Sequence, residues 1–173
     1  MKKFIFISII SALLISCGGE KKGNKANVIS VGQDLECVDC WANTSSVVKT
    51  MAHSGEFACK LDSVAEYSTT FQKTIGGISS KIPKKINVSL WVNSTQPSPD
   101  ASIVLDINNN GKSVLWLANS FKDVVKNEKE WTEFKSSFKL PPTLKPEDLV
   151  KIYVWNNKKL NLFIDDINIE FEY

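Results

Sequence analysis

Apolar positions in this chain recur at every second residue rather than at every third or fourth. The stretch from Leu162 to Tyr173 reads L-F-I-D-D-I-N-I-E-F-E-Y, and from Ile167 onward it alternates strictly. Ile167, Ile169, Phe171 and Tyr173 fall on one side, Asn168, Glu170 and Glu172 on the other. That period predicts a strand with one face in a core and one in water. Its unpaired edge needs a partner, and in a sandwich an early strand supplies one. The same alternation marks Phe57–Leu61, Ile86–Asn93, Ile103–Ile107, Trp131–Phe138 and Lys151–Asn156. Asn108-Asn109-Asn110-Gly111 is a turn signal that hands over to Val114–Leu117 as a hairpin. Helix is confined to a helix-or-turn candidate at Pro146–Leu149 and a turn of helix near Phe121–Val125. About seven to nine short strands separated by Gly, Pro, Asn and Ser predict an all-β chain, a two-sheet antiparallel β-sandwich.

The first residues break this pattern. Lys2 and Lys3 precede an apolar run from Phe4 to Ile15, too short for a comfortable permanent span. The run closes on Leu14-Ile15-Ser16-Cys17, which resembles the bacterial lipoprotein signal, a small residue before a cysteine that is acylated. Residues 1–16 are read as a signal peptide, Cys17 as the lipidated residue and 17–27 as a flexible polar tether. The remainder, 28–173, suits one domain. The expected location is the cell envelope, lipid-anchored, with the outer membrane favoured.

Charge narrows the partners. The formal net charge is +2, and Lys2 and Lys3 would leave with the signal. Every basic residue is a lysine, so no basic, arginine-bearing surface for nucleic acid is expected. Enzyme chemistry finds little support: His53 is the single histidine, and neither an H-E-x-x-H set nor a Gly-rich phosphate loop is present.

An ordered set of landmarks carries a family resemblance. Asp34-Leu35-Glu36 is followed by Trp41, then Ala52-His53-Ser54-Gly55 before a strand, then Val88-Ser89-Leu90-Trp91-Val92. Trp131 to Pro141, Tyr153-Val154-Trp155-Asn156 and Phe163-Ile164-Asp165-Asp166-Ile167 complete it. Over about residues 28–173 this resembles the galactose-binding-domain-like jelly roll, in particular the carbohydrate-binding modules found beside xylanases and glucanases. The resemblance implies a structural calcium ion, with Glu36, the His53–Gly55 turn including Ser54, and Asp165 as ligands. An inward Asp at a strand start needs such a partner, and calcium takes six to eight hard oxygens. The plainer reading is that Asp165 and Asp166 cap a turn in solvent.

If the alternating aliphatic residues face the core, then Trp91, Asp106, Trp116, Tyr153 and Trp155, with Asn156 at the rim, face outward. Such a set would bind poly- or oligosaccharide, rings stacking on the C–H faces of sugars and polar groups taking the hydroxyls. The competing reading packs some of these rings under loops or inverts the parity. Cys37, Cys40 and Cys59 remain beside Cys17, and an oxidising compartment predicts a bridge from Cys37 or Cys40 to Cys59. Two functions follow: a lipid-anchored, non-catalytic glycan-binding module, or an envelope scaffold of the same fold that binds a protein partner.

Overall fold

The computed structural model describes residues 24–25, 28–38 and 41–173. The signal peptide, Cys17, most of the tether and Cys40 lie outside the described residues. Eleven strands and one short α-helix follow in chain order among them, with a single 3₁₀ turn at Thr44–Ser46. They are β1 (Asn24–Lys25), β2 (Val28–Gln33), β3 (Val47–Lys49), β4 (Phe57–Leu61), β5 (Phe71–Thr74), α1 (Ile75–Ile78), β6 (Lys85–Ser94), β7 (Ser102–Asn109), β8 (Lys112–Ser120), β9 (Thr132–Lys139), β10 (Leu149–Trp155) and β11 (Leu162–Glu172). They form two sheets with antiparallel pairing throughout, the two-sheet jelly-roll sandwich expected from the alternation.

The larger, seven-stranded sheet is built around β11. One edge of β11 pairs with β6, which in turn pairs with β9. Its other edge is shared, Leu162–Ile164 pairing with β4 and Ile167–Glu172 with β2. The terminal strand therefore finds its early partner, with Glu172 opposite Val28. Asn24 and Lys25, read from the sequence as tether, pair with Val28 and Ile29, so the sheet begins before Val28. The smaller sheet runs β5-β10-β7-β8.

Each sheet contributes its inward alternation to one core. Ile86, Val88, Leu90 and Val92 of β6 and Ile164, Ile167, Ile169 and Phe171 of β11 meet Ile103, Leu105 and Ile107 of β7 and Val150, Ile152 and Val154 of β10. Burying one such side chain contributes about 1.5–3 kcal/mol, so the alternation itself fixes which face turns inward. Trp41 belongs to this core, edge-on to Phe71 at 5.8 Å. Both short candidates are turns rather than helices. Phe121–Val125 makes a single turn, closed by Val125 N–H to the Phe121 carbonyl, and the Pro146 region is a turn held by Asp148 on the Lys145 N–H.

One irregularity shapes the functional landmarks. The β11–β6 register slips between Asp165 and Asn168, where Asp166 takes a left-handed φ of 47°. The extra residue of this β-bulge lets Ile164 and Ile167 both face the core while Asp165 is fully buried between them.

Candidate functional site

The outer face of the smaller sheet collects aromatic side chains. On β10, Lys151, Tyr153 and Trp155 alternate with the core residues. In register across β7 and β8, Lys151 lies opposite Asp106 and Asp106 opposite Trp116, while Tyr153 lies opposite Val104 and Val104 opposite Ala118. Val104 points to this outer face and is nevertheless completely buried, outside the main core. The rings therefore roof their own sheet.

A short segment before β5 widens this surface. Ser68 N–H bonds to the Val154 carbonyl and Asn156 N–H to the Glu66 carbonyl, so residues 66–68 run beside β10 with Tyr67 bridged to Trp155. Asn43 fixes the segment from behind, its Nδ2 donating to the Tyr67 and Ser68 carbonyls at 3.2 and 2.9 Å. Four rings result. Trp116 and Trp155 stand 6.0 Å apart at 79°, and Tyr67 and Tyr153 stand 5.8 Å apart at 67°. Trp116 is 47% exposed and Tyr67 45%, so both offer faces to solvent. Trp155 donates its Nε1–H to Glu66 Oε1 at 2.8 Å, which sets the plane of the indole. Burial pushes the Tyr153 hydroxyl's pKa up; hydrogen bonding with Trp116 opposes this, and the charges of Asp106 and Tyr67 add to it. Tyr153 is therefore a neutral donor and acceptor at ordinary pH.

Of the residues read as a sugar surface, Asp106, Trp116, Tyr153 and Trp155 are brought together. Trp91 is not. It lies on β6 of the larger sheet, on the opposite side of the sandwich, and the His53 ring is stacked on it at 3.8 Å and 13°. Alternation gives the face of a strand but not which sheet the strand joins. Asn156 is also removed from the surface: it is fully buried, and its amide bonds both the N–H and the carbonyl of Leu160, capping the turn between β10 and β11. Glu66, Tyr67 and Lys151 join the surface and were missed. Only the β10 alternation could have flagged Lys151, and the Ala65–Thr70 segment has no alternation at all.

A polar groove of about 610 Å³ crosses the outer face of the larger sheet, lined by side chains such as Asn87, Ser89, Glu133, Lys135, Asn168 and Glu170. Its lining holds no aromatic ring, so it lacks the stacking element of the other face.

The predicted calcium ligands do converge, around the turn between β3 and β4. Asp165 Oδ2 accepts the N–H groups of His53 at 2.7 Å and Ser54 at 3.1 Å, and its Oδ1 accepts that of Asp166 at 2.8 Å. Glu36 Oε1 accepts the N–H groups of Glu56 and Phe57 at 2.8 and 2.9 Å. Burial raises the Asp165 pKa, the Ser54, Asp166 and His53 amides oppose the rise, and the charge of Asp166 adds to it. The groups hydrogen-bonded to these oxygens are backbone amide donors, which a cation at the same oxygens would have to displace. Among the described residues no three His, Cys, Asp or Glu side chains converge as a metal site. This donor set does not fit calcium, which requires oxygen ligands on all sides.

The expected bridge to Cys59 is not formed either. Cys59 is a free thiol sealed in the core, its Sγ 3.5 Å from Ser46 Oγ.

No protein-family model matches the sequence, and no curated protein matches it. Solved structures do. The chain is similar to the CBM22-2 xylan-binding domain from Paenibacillus barcinonensis Xyn10C, with a TM-score of 0.56 and 14% identity over 82% of this chain and 98% of that one. It is similar also to the CBM22-1 domain of the same protein, at 0.52 and 11% over 82% and 93%. A xylan-binding domain from CBM 22 gives 0.51 and 11% over 82% and 92%. At these identities the likeness is one of fold: the chain has the jelly roll of carbohydrate-binding modules.

Proposed function

We propose that this chain is a lipid-anchored, non-catalytic glycan-binding module of the bacterial envelope. The observation that carries the reading is the ring cluster on the smaller sheet, where Tyr67, Tyr153, Trp116 and Trp155 sit among Asp106, Glu66 and Lys151. Stacking on exposed rings supplies apolar contact to sugar C–H faces, and the neighbouring carboxylates and ammonium can hydrogen-bond hydroxyls. The similarity of fold to xylan-binding domains supports a polysaccharide as ligand, and the Leu14–Cys17 motif supports an anchor in the membrane, with the outer membrane as its place. Catalysis is not part of the reading, which rests on the likeness of fold to xylan-binding domains.

The full chain, solubilised in detergent, is to be titrated with soluble xylan and β-glucan oligosaccharides by calorimetry. Saturable binding that Trp116→Ala removes supports the reading, and no binding to any glycan overturns it. A protein partner is the second reading, favoured by β8: this edge strand exposes Val114 and Trp116 along an unpaired backbone.

A further inference from the structure

We infer that the junction between Glu36, the 53–57 turn and Asp165 closes without calcium, as a hydrogen-bonded latch in which His53 and backbone amides do the work of an ion. In a calcium-bearing junction the cation draws two carboxylates and a turn to one point. Here five N–H groups perform that task, three on Asp165 and two on Glu36. Gly55 permits the approach. It sits at φ 64°, and a Cβ there would lie 2.2 Å from Glu36 Oε1. Asp165 Oδ2 already serves two donors, so a cation within bonding distance of it would face their hydrogens.

A second layer closes the latch from outside. Asp166, turned outward by the bulge, accepts Ser54 Oγ–H on Oδ1 at 2.6 Å and meets His53 Nδ1 with Oδ2 at 2.6 Å. The imidazole lies flat on Trp91 and edge-on to Trp131, 5.6 Å away at 70°. A ring that accepts stacking on one side and a carboxylate on its edge ties β6, the 53–57 turn and β11 together. This assigns His53 and Trp91 a structural role, independent of any glycan on the opposite sheet.

The test compares thermal unfolding of the full chain in chelator and in millimolar calcium, alongside tryptophan-sensitised terbium luminescence. Trp91 and Trp131 flank the turn and would report a bound lanthanide. The latch predicts midpoints within about 1 °C of each other and no saturable terbium emission. Calcium at a hundred times its dissociation constant would instead raise the midpoint by roughly 5–10 °C. That rise, or terbium emission displaced by calcium and abolished in Asp165→Asn, overturns the inference. His53→Ala should lower the midpoint by about 3–8 °C equally in both buffers. An unchanged midpoint in that variant would also overturn it.

Discussion

Trp155 hands its indole N–H to Glu66 while standing nearly perpendicular to Trp116, 6.0 Å away. One ring is thus locked by a carboxylate and the other left with almost half its surface free. The locked ring is expected to set the shape of the surface and the free ring to supply contact.

That division predicts different outcomes for the two indoles. Trp116→Ala should weaken oligosaccharide binding about 10–30-fold, the range for an exposed aromatic anchor, with the unfolding midpoint nearly unchanged. Trp155→Ala should weaken binding at least as much and also lower stability, because the bond to Glu66 and the packing against Trp116 are lost. Calorimetry and urea denaturation on the same preparations separate the two.

Beyond any hydroxyl it bonds itself, Glu66 is expected to act on the ligand by holding Trp155 in place. Glu66→Gln keeps an oxygen acceptor and should leave affinity within about twofold, whereas Glu66→Ala should cost roughly 3–10-fold. The Trp155 Nε1–H resonance should move in the alanine variant and stay close to its original position in the glutamine variant.

Gly55→Ala places a methyl group against the Glu36 carboxylate at a backbone angle that disfavours any side chain. Glu36 must swing away and release the Glu56 and Phe57 amides. A loss of about 2–4 kcal/mol in urea unfolding is expected, far above the usual exposed-turn substitution.

Asp165 gives stability a specific pH signature. Its folded pKa lies above the ordinary carboxylate value, so between the two values the folded state holds more protons than the unfolded state. Stability therefore falls as pH rises through that window, and acidification from neutrality should first stabilise. Asp62, held low by the Val64 and Ala65 amides, and Glu172, held low by Lys85 and then Asn87, work in the opposite sense. Their contributions are present above the ordinary carboxylate range and disappear as pH drops through their folded values. Urea midpoints measured downward from pH 7 should rise and then fall, and Asp165→Asn should remove the rise.

Cys59 should be silent in the native protein. Burial raises its thiol pKa, and the side chain is wholly enclosed. A maleimide should label it in denaturant and leave it untouched in buffer; rapid native labelling would show that β4 opens.

Most strands were legible because one face of each is aliphatic. The runs through Ile86–Val92, Ile103–Ile107 and Ile167–Phe171 turn inward as their alternation requires. What stayed hidden was information that periodicity does not carry. Trp91 and Trp155 share the same outward parity, yet strand pairing puts them on opposite sheets. Asn156 looked like a binding amide because a capping amide and a sugar-binding amide are the same residue in sequence. Tyr67 was invisible because its segment is held by single bridges and Asn43 rather than by a pattern. The bulge at Asp166 was hidden by the adjacent Asp pair, since either parity puts one aspartate inward.

The central place of β11 has a kinetic consequence. Val28 pairs with Glu172, and β4 and β6 pair with the same late strand, so the larger sheet depends on contacts between segments far apart in the chain. Such topologies fold slowly, in milliseconds to seconds, because long loops must close before any pairing rewards them. Until β11 arrives, β2, β4 and β6 carry bare edges toward each other's future partner. During that delay the bare edges can pair with another copy of the chain, so refolding yield should fall as protein concentration rises.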